Sequence, residues 1–190
     1  MNEFLEENRE FNGINYVETR LTKGAYEQCT FFQCIFTNSD LSNIIFVECE
    51  FVECDLSMAN VSGTAFQDSS FTNCKLLGLH FEHCNDLLFS VNFKECVLNL
   101  SSFYKCSLKR SIFMDCNLQE TDFTESDMTG SILQGCDLSG AIFDHTILEK
   151  ADLRRSFNFS IDPELNRIRR SKFSAGEIIG LLGKYDITID

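Results

Sequence analysis

A period of five runs through this chain and excludes most folds at once. Large apolar residues stand at every fifth position from Phe11 to Phe81. After a slip of two they stand at every fifth position again, from Leu88 to Leu153. All 29 of these positions are apolar in a chain whose apolar content is 44%. Helices repeat every 3.6 residues and strands every 2, so neither element alone carries the pattern.

A small residue lies two before most of the large ones: Cys29, Cys34, Ser39, Cys49, Cys54, Ala59 and so on to Ala151. Asp or Asn often stands between them, as in SDLSN at 39–43, CDLSM at 54–58, CDLSG at 136–140 and ADLRR at 151–155. These groups resemble the pentapeptide repeat proteins, whose pattern is roughly A-(D/N)-L-x-x, over about residues 11–155 and more loosely to Phe173. The resemblance implies an all-β fold, a right-handed quadrilateral parallel β-helix with four pentads in each coil.

A four-pentad coil predicts that residues twenty apart stack. Cys34, Cys54 and Cys74 are spaced by twenty, as are Cys96, Cys116 and Cys136; the interval from Cys74 to Cys96 is 22. One continuous cysteine ladder results if two extra residues bulge out near Asn85, Asp86 and Leu87, and Phe31, Phe51, Phe71, Phe93 and Phe113 then stack too. In such a solenoid each coil buries little until its neighbours cover it. Burying each central residue stabilises by about 1.5–3 kcal/mol, and the small residue beside it leaves no room for overpacking.

The net charge is −13 and is uneven: residues 1–153 hold 24 acidic and 9 basic residues (−15), residues 154–190 hold 5 and 7 (+2). A chain this acidic is a poor ligand for nucleic acid phosphates, which demand Lys and Arg, and suits a basic protein partner. Its first ten residues, MNEFLEENRE, are charged where a signal peptide would be apolar, and no run of about 18 apolar residues exists to span a membrane. The cytoplasm is the expected location, with the ten cysteines reduced and acting as small apolar residues.

Three segments are expected: a turn or cap over 1–10, the β-helix over 11–173 with its two-residue slip near 85–88, and a tail over 174–190. In the tail, Ser174 and Glu177 have the spacing of a capping box, AGEIIGLL reads as a short helix, and 185–190 alternates like a strand. A helix and strand after the last coil resemble the quinolone-resistance (Qnr-type) branch of the family. That resemblance implies a homodimer through Ile178, Ile179, Leu181, Leu182, Tyr185 and Ile187. It also implies that the rod imitates duplex DNA and binds a type II topoisomerase, DNA gyrase or topoisomerase IV, protecting it from quinolones or toxins. Some members of that branch carry long protruding loops; this chain has only the slip.

The residues assigned to such imitation are outward acids. Glu48, Glu50, Glu53 and Asp55 cluster on neighbouring coils; Glu53, Glu95 and Asp115 share a column; Glu120, Asp122, Glu125, Asp127, Asp137 and Asp144 crowd the C-terminal half. The alternatives are a solvated face or a cytoplasmic scaffold with an unrelated partner, since Asp or Asn at the second pentad position belongs to the repeat itself. His80, His83 and Cys84 are close in sequence but flank the inward Phe81, so no metal site is expected. Neither a nucleophile motif nor a phosphate loop is present; the chain reads as a non-enzyme without cofactor.

Overall fold

The computed structural model describes residues 4–185 and 187. The chain winds as the period demands, into a right-handed quadrilateral β-helix whose coils stack in parallel. Two of its four faces carry regular strands. On face one, β1 (Leu5–Glu7), β3 (Ala25–Glu27), β5 (Ile45–Val47) and β7 (Ala65–Gln67) form a four-stranded sheet. On face two, β2 (Glu10–Asn12), β4 (Thr30–Phe32), β6 (Glu50–Val52), β8 (Ser69–Thr72), β9 (Val91–Lys94), β10 (Ile112–Met114) and β11 (Ile132–Gln134) form a seven-stranded one. Faces three and four are joined by single bridges such as Asp55↔Lys75 and Asp122↔Ile142.

The register is twenty wherever the pentads are unbroken: Phe31 pairs with Phe51, and Phe51 with Phe71. Ser69 pairs with Val91, an offset of 22, so the chain absorbs two extra residues between them. The bulge corrects the register proposed for Leu88. That residue is 68% exposed with φ 60°, and Phe89 packs against the core in its place. The extra residues push the chain outward at Leu87 and Leu88, so the next large apolar residue along turns in.

The core is a set of aromatic columns. Phe11, Phe31, Phe51, Phe71, Phe93 and Phe113 stack with centroids 4.8–5.2 Å apart. Rings on adjacent faces meet edge-on, as Phe31 and Phe46 do at 84°. One coil spacing is about 4.8 Å, so backbone pairing and offset ring stacking are satisfied by the same repeat. The small inward residue has its own task. Its side chain donates to the central residue's carbonyl one coil back: Cys54 Sγ to Phe31 O, Cys74 Sγ to Phe51 O, Thr146 Oγ1 to Phe123 O, Ser156 Oγ to Leu133 O. Cys, Ser and Thr are interchangeable here because each supplies a compact donor. Burial pushes the Cys49 thiol up to about 12 and the Cys106 thiol up to about 12, and all ten cysteines are free.

The tail departs from expectation in detail. It forms 3₁₀ turns, Ala175–Leu181 and Gly183–Tyr185. Ser174 makes no side-chain cap; its Oγ instead accepts from Arg155 N at 2.9 Å, tying the turn to the last coil. Gly180 lies so close to that coil that a Cβ would sit 2.3 Å from Phe159 O. Most of the strand expected over 185–190 lies outside the described residues.

Candidate functional site

The twelve acids proposed from sequence occupy second, fourth and fifth pentad positions, Asp144 alone standing at the fourth and Glu50 at the second without closing a turn. At the second pentad position, Asp55, Asp122, Asp127 and Asp137 each accept from the backbone N–H two residues on, at Ser57, Thr124, Thr129 and Ser139. Asp40, Asn60, Asn117 and Asp152 do the same. This Asx turn closes the corner of the coil. The preference for Asp or Asn at that position therefore has a structural cause, because either side chain offers the acceptor oxygen.

The corner carboxylates are held charged. Burial alone would raise Asp127, but the Thr129 hydroxyl and amide and the Lys109 ammonium outweigh it, leaving the group below its ordinary range. Asp137 is likewise opposed by burial and lowered by Gln119, Asn158 and Ser139. Hydrogen bonds from Ser42 take Asp40 down to about 2.

The other eight acids have no such task. Glu48, Glu53, Glu95, Asp115, Glu120 and Glu125 stand at the fifth position, where the backbone turns left-handed with φ of 52–56°. A side chain leaving a left-handed corner projects from the rod. Non-glycine residues avoid that region at a cost of about 1–2 kcal/mol, and here stacked coils on both sides hold them in it.

The structure distributes the twelve over all four faces. It gathers one group on face two, where Glu50 neighbours a column through Glu53, Asn73, Glu95 and Asp115 set by the pairing of Phe51, Phe71, Phe93 and Phe113. Three rungs at about 4.8 Å put three carboxylates and Asn73 along about 14 Å, where one DNA strand, at about 3.4 Å per phosphate, carries about four charges; Glu50 stands on the rung of Glu53, at the other end of β6. Two of the four carboxylates have cationic neighbours: Lys94 Nζ lies 3.8 Å from Glu95, and an Arg155 nitrogen lies 3.9 Å from Asp115. Elsewhere Glu125 meets Lys105, Asp127 meets Lys109 and Asp144 meets His145. Glu48, Glu50, Glu53 and Glu120 form no ion pair among the described residues.

At the tail, Ile178, Ile179, Tyr185 and Ile187 are each more than half exposed, whereas Leu181 packs against the rod's own core and Leu182 is half-buried. His80 and His83 stack at 5.4 Å, and His80 Nδ1 lies 2.9 Å from Glu82. Among the described residues no group of three His, Cys, Asp or Glu is arranged to hold a metal, and no helix is long and apolar enough to cross a membrane.

Reading acids by charge alone missed the Asx turns. Their signal was present in D-L-S and D-F-T, where a small hydroxyl residue follows the aspartate by two.

The likeness to known proteins fits this geometry. The full-length structure of QnrB1, a plasmid-mediated fluoroquinolone resistance protein, aligns with a TM-score of 0.54 at 21% identity, over 97% of this chain and 100% of that one. A trypsin-treated QnrB1 form aligns with the same score over 99% of its length. HetL, a pentapeptide repeat protein involved in heterocyst differentiation regulation from Nostoc sp. strain PCC 7120, aligns at 0.36 and 16% identity, over 90% of this chain and 87% of its own. No curated protein sequence matches. The family described as Pentapeptide repeat region matches residues 25–86 and 87–158, more than half of the sequence. This chain therefore belongs to the pentapeptide repeat family.

Proposed function

We propose that this protein is a non-catalytic acidic rod that imitates duplex DNA and occupies the DNA-gripping groove of a type II topoisomerase, protecting it from quinolones or toxins. The carboxylate group of Glu50, Glu53, Glu95 and Asp115 on face two carries the reading, because its charge density along the rod approaches that of a DNA strand. The whole-length likeness to QnrB1, a fluoroquinolone resistance protein, supports it. A basic groove would steer such a column in at a rate that falls with salt. The rod acts without long loops, since among the described residues its coils are interrupted by the two-residue bulge before Phe89 and by no longer insertion. The exposed Ile178, Ile179, Tyr185 and Ile187 are the surface through which two tails pair. Leu181 serves its own core.

The spread of the remaining acids over the other three faces favours a second reading, a scaffold for an unrelated basic partner in the cytoplasm. Titration of fluorescent protein with purified gyrase at rising salt separates the two. Salt-sensitive binding that duplex DNA displaces supports the first. No binding at any salt refutes it.

A further inference from the structure

Face one changes the sign of its charge halfway along. On its first four rungs the outward cationic positions are empty and the carboxylates are Glu7, Glu27, Glu48 and Asp68, none ion-paired among the described residues. On the four rungs after the bulge, centred on Leu108, Met128, Leu148 and Ile168, the same face carries Lys109, Arg110, Lys150, Arg167, Arg169 and Arg170 against Asp127 and Glu149. Lys109 is paired with Asp127 at 3.2 Å and Arg167 with Glu149 at 2.6 Å. Four exposed cations remain, Arg110, Lys150, Arg169 and Arg170, against four carboxylates. Between the halves stands the bulge, with Leu87 66% and Leu88 68% exposed.

Acid, apolar centre and base in that order make a face complementary to itself. We propose that this face pairs with the same face of a second copy, the two rods antiparallel, about a two-fold axis through the bulge. Such an axis lies in the interface and across the rods, so it keeps each residue's place along the strand direction and reverses the rungs. Asp68 then lies opposite Arg110 of the second copy and Glu7 opposite Arg169, while Glu27 lies opposite Glu149, itself paired with Arg167, with Lys150 the next residue along the strand. Leu87 and Leu88 meet their own copies. Every contact occurs twice, as in any isologous interface. The surplus acid of the chain sits mainly on the other three faces and is screened beyond about 8 Å at physiological ionic strength. Eight rungs of about 4.8 Å and three residues of about 3.3 Å give a contact of roughly 400 Å² per rod, about 800 Å² in all, which is below the range of stable interfaces and within that of weak, transient ones. The pairing is weak and salt-dependent, and it is separate from the tail surface.

Sedimentation of the full chain tests it in an Ile179→Asp background, which charges the tail. Dimers are expected at about 50 mM salt and monomers at about 500 mM. Asp68→Arg should weaken pairing about tenfold or more, because two contacts reverse per dimer. Adding Arg110→Asp to Asp68→Arg should restore it. Leu88→Cys should give a disulfide-linked dimer with diamide, the two thiols oxidised and the diazene reduced to the hydrazine, where the parent chain gives none. A chain that is monomeric at low salt, a dimer indifferent to Asp68→Arg, or a swap that fails to restore pairing overturns the proposal.

Discussion

Asp137 shows how one side chain serves both fold and surface. Its carboxylate accepts from the Ser139 amide at 3.1 Å and hydroxyl at 2.7 Å, from Gln119 at 2.7 Å and from Asn158 at 3.0 Å. Asp137→Asn keeps the oxygen that closes the turn, and Asp137→Ala does not. Denaturant melts should show a loss of about 1.5–3 kcal/mol for the alanine and a smaller one for the asparagine. The pH dependence has a definite sign. Asp40, Asp127, Asp137 and Asp152 are all depressed in the fold. Their contribution is complete above the unfolded value of about 4 and is lost as pH falls through the folded values, which for Asp40 is about 2. Melts between those limits should show falling stability, and Asp137→Asn should reduce the slope. Inside the rod, Cys74→Ser should be tolerated, since Ser69 and Ser156 fill equivalent places and make the same kind of bond. Cys74→Leu should cost about 1–3 kcal/mol by overpacking, and thermal unfolding measures both.

At the scale of elements, the stacking of coils was legible in the sequence because it is periodic. Every inward position answers to the same constraint, so the columns of Phe and Cys follow from spacing alone. The bulge was legible as a shift of two, but its inner residue was not. Leu88 and Phe89 are both large and apolar, and only the path of the chain decides which turns in. The tail was legible as a helix and its cap was not. Ser174 and Glu177 match a capping box in spacing, yet the Ser174 hydroxyl serves Arg155 on the last coil, a contact no local pattern encodes. Gly180 joins that coil through Ile161 N to Gly180 O at 2.9 Å. Gly180→Ala should displace the tail from Phe159, and limited proteolysis should then cut within 174–185 faster than in the parent.

At the scale of the whole molecule, the rod supplies regular spacing, so the proposed function rests on which columns are charged. The sequence placed those columns correctly and left undecided which acids serve the turn. The structure divides them, with second-position aspartates closing corners and fifth-position glutamates projecting. In the function proposed, the projecting column on face two stands in for a DNA strand. Gyrase supercoiling in the presence of ciprofloxacin tests it most directly, with the parent chain beside a Glu53→Gln, Glu95→Gln, Asp115→Asn variant that keeps the shape and removes three charges. Protection or competitive inhibition by the parent is expected at micromolar concentrations, with a loss of about tenfold or more in the variant. Equal effects of the two proteins, or none from either, would contradict it.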